Sequence, residues 1–142
     1  MAGVLTGTIE ALIQDAKSTS EQLYKKGMKP TQLRKVHSYV TKLWMRYTTF
    51  CAGKSDSEER KEVFNEILDE VKYLQVFLAY QYGRAISGYD LLNEKLTSIV
   101  NEVKDEETFS RLKKYVDALA AYAKYNEKLE KNNSKNSKNF NK

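Results

Sequence analysis

Proline is almost missing from this chain. Pro30 is the only one in 142 residues, and of six glycines only Gly27, Gly53, Gly83 and Gly88 lie well inside the sequence. So few turn-formers exclude a set of many short strands and predict long helices. Cysteine is equally scarce: Cys51 stands alone, so no intramolecular disulfide can form, which fits a reducing cytoplasm. No run reaches the roughly 18 apolar residues of a membrane span, and the N-terminus lacks a secretory pattern. A soluble cytoplasmic protein is expected. His37 is the only histidine, and with Cys51 it supplies too few ligands for zinc and no obvious Cys–His pair. The Asp69–Glu70 and Asp105–Glu106–Glu107 clusters read as solvated faces and helix N-termini. No catalytic residue, metal or cofactor is expected, and the chain reads as a non-enzyme.

Negative charge has its own gap. Between Glu21 and Asp56 there is no acidic residue, while Lys25, Lys26, Lys29, Arg34, Lys35, Lys42, Arg46 and Lys54 all fall there. The segment carries +8 in a protein whose net charge is +5. Cations held together against their own repulsion point to a polyanion as partner.

What remains is ordinary: 41% hydrophobic and 30% charged residues, enough for one domain with a single core. Five helical segments can be read, giving an all-α, compact bundle. The first runs from about Thr8 to Lys26 and stops at Gly27. Pro30 opens the second, which continues to about Cys51. The third starts near Asp56 or Ser57 and extends to about Ser87, and the fourth spans about Tyr89 to Val103. Asp105 is the expected N-cap of the fifth. Residues 1–131 form the expected helical domain. Residues 132–142, rich in Asn, Lys and Ser, bury too little to offset ordering entropy and are expected to be disordered.

Projecting the second segment at 100° per residue separates its two faces. Lys35, Lys42 and Arg46 lie within about 120° of Arg34, together with Thr31, Ser38 and Thr49. Leu33, Val36, Val40, Leu43, Trp44, Tyr47, Phe50 and Cys51 occupy roughly 160° to 280°, the core side. A merely solvated face would mix Glu with Lys at i,i+4. This one has no carboxylate, which favours phosphate contact over simple solvation. Membrane attachment is disfavoured because the apolar face is used by the core.

The ten tyrosines are expected mostly in the core with their hydroxyls at the surface, rather than as base-stacking platforms. The third segment has one stripe of Val63, Ile67, Val71, Leu74, Leu78 and Tyr82, and a second of Tyr73, Val76, Phe77 and Tyr80. Being apolar nearly all round from Tyr73 onward, it is expected to be the central helix, with an interface as the alternative. Ala118, Ala120, Ala121 and Ala123 allow close approach of a helix, within the bundle or across an interface.

Three stretches carry a family resemblance: PTQLRKV at residues 30–36, EVKYLQVFLAYQYGRA at 70–85 and VKDEETFSRLKKYVDALAAYAKY at 103–125. In order and spacing they resemble the small subunit of the type III-A CRISPR (Csm) effector complex, over about 45 of 142 positions. The resemblance implies a non-catalytic helical subunit. Several copies would stack as a filament beside guide RNA paired with target RNA, in contact with other Csm subunits. It matches Arg34 and Lys35 to the first motif, Arg84 to the second, and Arg111, Lys114 and Lys124 to the third. With Lys42 and Arg46 these form the expected RNA-binding set. Two departures stand out: Lys29 occupies the N-cap where the family often has Thr, and Tyr82 sits where Ala is common.

Overall fold

The computed structural model describes residues 3–140, with side chains through Asn133. It contains α1 (Ile9–Lys25), α2 (Pro30–Cys51), α3 (Ser57–Gly83), α4 (Tyr89–Asn101) and α5 (Glu106–Phe140). No strand occurs among the described residues, and no helix there is long and apolar enough to cross a membrane.

Local chemistry sets the helix ends. Thr8 Oγ1 accepts the Ala11 N–H at 3.1 Å and starts α1. Lys29 stands at the N-cap of α2 without a side-chain cap bond, and Pro30 at the first position compensates with its preset φ. Asp56 accepts the Glu58 N–H at 2.9 Å and opens α3, with Glu58 and Glu59 in its first turn. Before α5, Asp105 Oδ1 accepts the Thr108 N–H at 2.8 Å. In return Thr108 Oγ1 accepts the N–H groups of Lys104 and Asp105 at 2.9 and 3.0 Å.

One boundary differs from the sequence expectation. α3 ends at Gly83 rather than near Ser87. The Arg84 N–H bonds back to Tyr80, and Ala85 turns into the left-handed region at φ 59°, so the chain has already left the helix. Gly88, at φ 90°, then leads into α4. A Cβ added there would lie 2.8 Å from Met28 Cβ, so both conformation and space require glycine.

The helices close into a ring. α5 packs between α1 and α2, α3 lies against α2 on its other flank, and α4 covers α3. Lys95 to Asp15 at 2.9 Å and Lys26 to Asp90 at 3.0 Å complete the circuit from α4 back to α1. Phe109 of α5 meets Trp44 and Tyr47 of α2 with ring centroids 5.1 and 5.7 Å apart, and Phe64 of α3 stands 6.2 Å from both Tyr47 and Phe109. Such pairs contribute roughly 0.5–1.5 kcal/mol each beyond burial. Buried Tyr115 donates to Asp15 at 2.7 Å, and burial, reinforced by that bond, raises its hydroxyl pKa and keeps it a donor. Lys72 donates to the carbonyls of Val100 and Val103 at 2.8 and 3.1 Å, closing the end of α4, and burial lowers its pKa.

The central-helix expectation for α3 does not hold. Tyr73 and Tyr80 are each 62% exposed and Val76 is 51% exposed. Of that stripe only Phe77 is half-buried, against Tyr89. A ring of helices needs one buried face from each member, so the second stripe has nothing to cover it. Phe50 and Tyr82, placed on core faces by projection, are exposed for the same reason, each lying at the edge of its buried arc. Of the ten tyrosines Tyr47, Tyr89 and Tyr115 are buried and Tyr39 packs half-buried on the core, while Tyr73, Tyr80, Tyr82 and Tyr125 are exposed, so the core role expected of most holds for four. On α5, burial ends at Ala123. For the segment from 132, expected to be disordered, side chains beyond Asn133 and all of Asn141 and Lys142 lie outside the described residues.

Asp105 provides a test of this framework. Hydrogen bonds from the Thr108 backbone and hydroxyl hold its carboxyl pKa below the ordinary value. A depressed folded-state pKa contributes stability above the unfolded value and loses it as pH falls through the folded one. Asp105→Ala is expected to cost about 1 kcal/mol at pH 7. In urea titrations the gap to the unaltered protein should narrow below roughly pH 4.

Candidate nucleic-acid interface

The acid-free face of α2 turns outward because its opposite face is held twice. Val36, Val40 and Leu43 enter the core, Trp44 and Tyr47 lock onto Phe109, and His37 meets Asp117 of α5 at 2.7 Å. On the other flank Tyr39 donates its hydroxyl to the Glu70 carbonyl of α3 at 2.7 Å. Burial, with the nearby Glu70 charge, raises the Tyr39 pKa, so the phenol stays protonated and the bond persists at neutral pH.

Between α2 and α3 an open groove of about 660 Å³ follows. Arg34, Lys35, Lys42 and Arg46 all line it, with Thr31 and Ser38 supplying hydroxyls and Tyr39 and Leu43 forming an apolar floor. All four cations are exposed. Sequence projection therefore grouped them correctly, and the structure adds the wall that makes their face concave.

One carboxylate enters. Glu70 lines the groove and takes Arg46 at 2.6 Å. Sequence reading assigned Glu70 to a solvated face, because a contact 24 residues away leaves no local signal. Among the described residues Arg34, Lys35 and Lys42 have no ion-pair partner. In water such charges a few turns apart repel by only about 0.5 kcal/mol per pair, so the face is tolerated without a ligand and relieved by an anion.

The other expected residues are not brought to this groove. Arg84 is exposed at the end of α3, its guanidinium 5.8 Å from the Tyr80 ring centre. Lys114 and Lys124 are exposed on α5, the latter 3.9 Å from Glu127. Arg111 is tied down: it donates to the Gly7 carbonyl at 2.7 Å and lies 3.9 Å from Glu107. Of the other four cations of the window, Lys26 is paired with Asp90, while Lys25, Lys29 and Lys54 are exposed. Met45 is 60% exposed and shares the basic face by helical spacing, an apolar residue that the charge pattern does not mark.

The chain has recognisable relatives. The family described as Csm2 Type III-A matches residues 6–129. The CRISPR system Cms protein Csm2 of Streptococcus thermophilus is 36% identical over 96 residues, which span 67% of this chain and 69% of that protein. No solved structure matches the chain.

Arg111 separates anchoring from ligand contact. Arg111→Gln removes a charged hydrogen bond to the N-terminal segment and is expected to lower stability by roughly 1.5–3 kcal/mol in thermal unfolding. Affinity for single-stranded RNA, measured well below the melting temperature, should stay unchanged.

Proposed function

The chain belongs to the Csm2 type III-A family, and from that premise we propose that it is the non-catalytic, RNA-binding small subunit of a type III-A CRISPR ribonucleoprotein. Copies of it stack along guide RNA paired with target RNA, beside the other Csm subunits. Each grips the sugar–phosphate backbone through the groove between α2 and α3.

One observation carries this reading: Arg34, Lys35, Lys42 and Arg46 converge on one concave, exposed face to which no other acidic side chain than Glu70 contributes. Cations on long flexible stems, with Thr31 and Ser38 between them, fit phosphates and carry no base information. A subunit of an RNA-guided complex needs that indifference, since base pairing delivers the sequence specificity. Arg84, Lys114 and Lys124 are secondary contacts, whereas Arg111, which the motif also offers, anchors the N-terminal segment at the Gly7 carbonyl and is left out of the set. A few phosphates per copy give weak binding that repetition strengthens.

Reversing Arg34, Lys35, Lys42 and Arg46 to Glu is expected to abolish RNA retention by the assembled complex while circular dichroism stays unchanged. Intact retention would leave a purely structural assembly subunit as the function. In the unaltered protein the log–log salt slope for single-stranded RNA should be about −2 to −3.5, for three to five phosphates. Glu70→Gln releases Arg46, so affinity should rise and the slope steepen by about 0.7.

A further inference from the structure

The apolar floor of the groove continues past the cations. Tyr39 and Leu43 form it, and Phe50 lies within about 20° of both when α2 is viewed down its axis. Phe50 is nevertheless 54% exposed. Among the described residues its ring meets none of the aromatics that lock α2 to α5 and α3. Single exposed apolar side chains are ordinary on any protein. Met45 is one of these, standing more than 100° round α2 from the floor line.

Phe50 differs in its surroundings. Arg46 precedes it by four residues, one turn away on the same side of α2, so their Cβ atoms are about 6 Å apart. A nucleotide whose phosphate lies on Lys42 or Arg46 can therefore reach Phe50 with its base. Charge is weakest at this end of the groove: Glu70 holds Arg46 at 2.6 Å, and Glu66 lies one turn before Glu70 on α3. Attraction gained here has to come from something other than phosphate. A protein contact is disfavoured, because the exposed neighbours Thr49, Gly53 and Lys54 are small or charged and make no apolar patch of interface size.

We propose that Phe50 is a base-stacking subsite at the end of the groove, and that the groove selects RNA with an unpaired nucleotide at that point. The inference rests on the groove reading given above and adds which form of RNA it takes. In an A-form duplex the base faces are stacked inside the helix, where an outside ring cannot lie on them, whereas a single strand can splay one out. Every base has a π-face, and a phenyl ring has no hydrogen-bonding group to read an edge. Stacking on Phe50 thus keeps the grip indifferent to sequence.

Fluorescence anisotropy of the full chain with a short uridine-rich RNA, free or annealed to its complement, tests this. The unaltered protein should bind the single strand several-fold more tightly than the duplex. Phe50→Ala should weaken single-strand binding about tenfold and leave duplex binding as it was. Its salt slope should stay the same, because no phosphate contact is lost. Phe50→Tyr, which keeps a ring, should bind like the unaltered protein, and Phe50→Leu like Phe50→Ala. A 2-aminopurine within the strand should dim on binding to the unaltered protein and stay bright with Phe50→Ala. Equal single-strand affinity in Phe50→Ala overturns the proposal. So does normal binding by Phe50→Leu, which would reduce the contact to apolar packing. Loss of other subunits from the complex formed with Phe50→Ala, with RNA affinity of the free chain intact, would assign Phe50 to a protein contact instead. The groove reading fails separately, by intact RNA retention after reversal of its four cations.

Discussion

Phe109 is the pivot of this bundle. Its ring stands against Trp44 and Tyr47 of α2 and beside Phe64 of α3, so one residue of α5 fixes three helices at once. Because α2 is gripped on that side and again through Tyr39 and Glu70, it cannot roll about its axis. Rolling by one residue would carry the cations toward the core and a buried Val toward water. The basic face is thus oriented by aromatic packing, and its charges need no internal partner to stay in place.

Glu70 shows how the same packing moderates the charge. Its carbonyl anchors Tyr39 while its carboxylate holds Arg46, so one residue both positions the groove wall and tempers its field. The groove is therefore graded along α2, from uncompensated cations near Arg34 to a neutralised pair at Arg46. A backbone-reading surface benefits from attraction that is broad and moderate, since a few strong pairs would fix register along the strand.

Periodicity and punctuation made much of this legible in advance. Pro30, Asp56 and Asp105 mark helix starts, and the spacing of Leu33, Val36, Val40 and Leu43 identifies the buried side of α2. The acid-free window and its projection placed Arg34, Lys35, Lys42 and Arg46 together. Periodicity cannot say how many sides of a helix are covered, because that depends on how neighbours close around it. Hence α3, apolar nearly all round from Tyr73 onward, reads as central but lies in a ring that covers one side of it. Glu70 was illegible for a related reason: its partners come from another helix. The early end of α3 was hidden because Ala85, with no sequence mark of a turn, adopts the conformation usually left to glycine or asparagine.

Gly88 closes the ring between α3 and α4, and it does so against Met28, in the turn between α1 and α2. In evolutionary terms the two turns are one locus. A lineage that replaces Gly88 must find both a new backbone path into α4 and a shift of the turn at Met28, whose Cβ is the nearest obstacle at 2.8 Å, and neither change is neutral alone. Drift in this chain should therefore run freely over its exposed faces while these two distant turns change together or stay as they are.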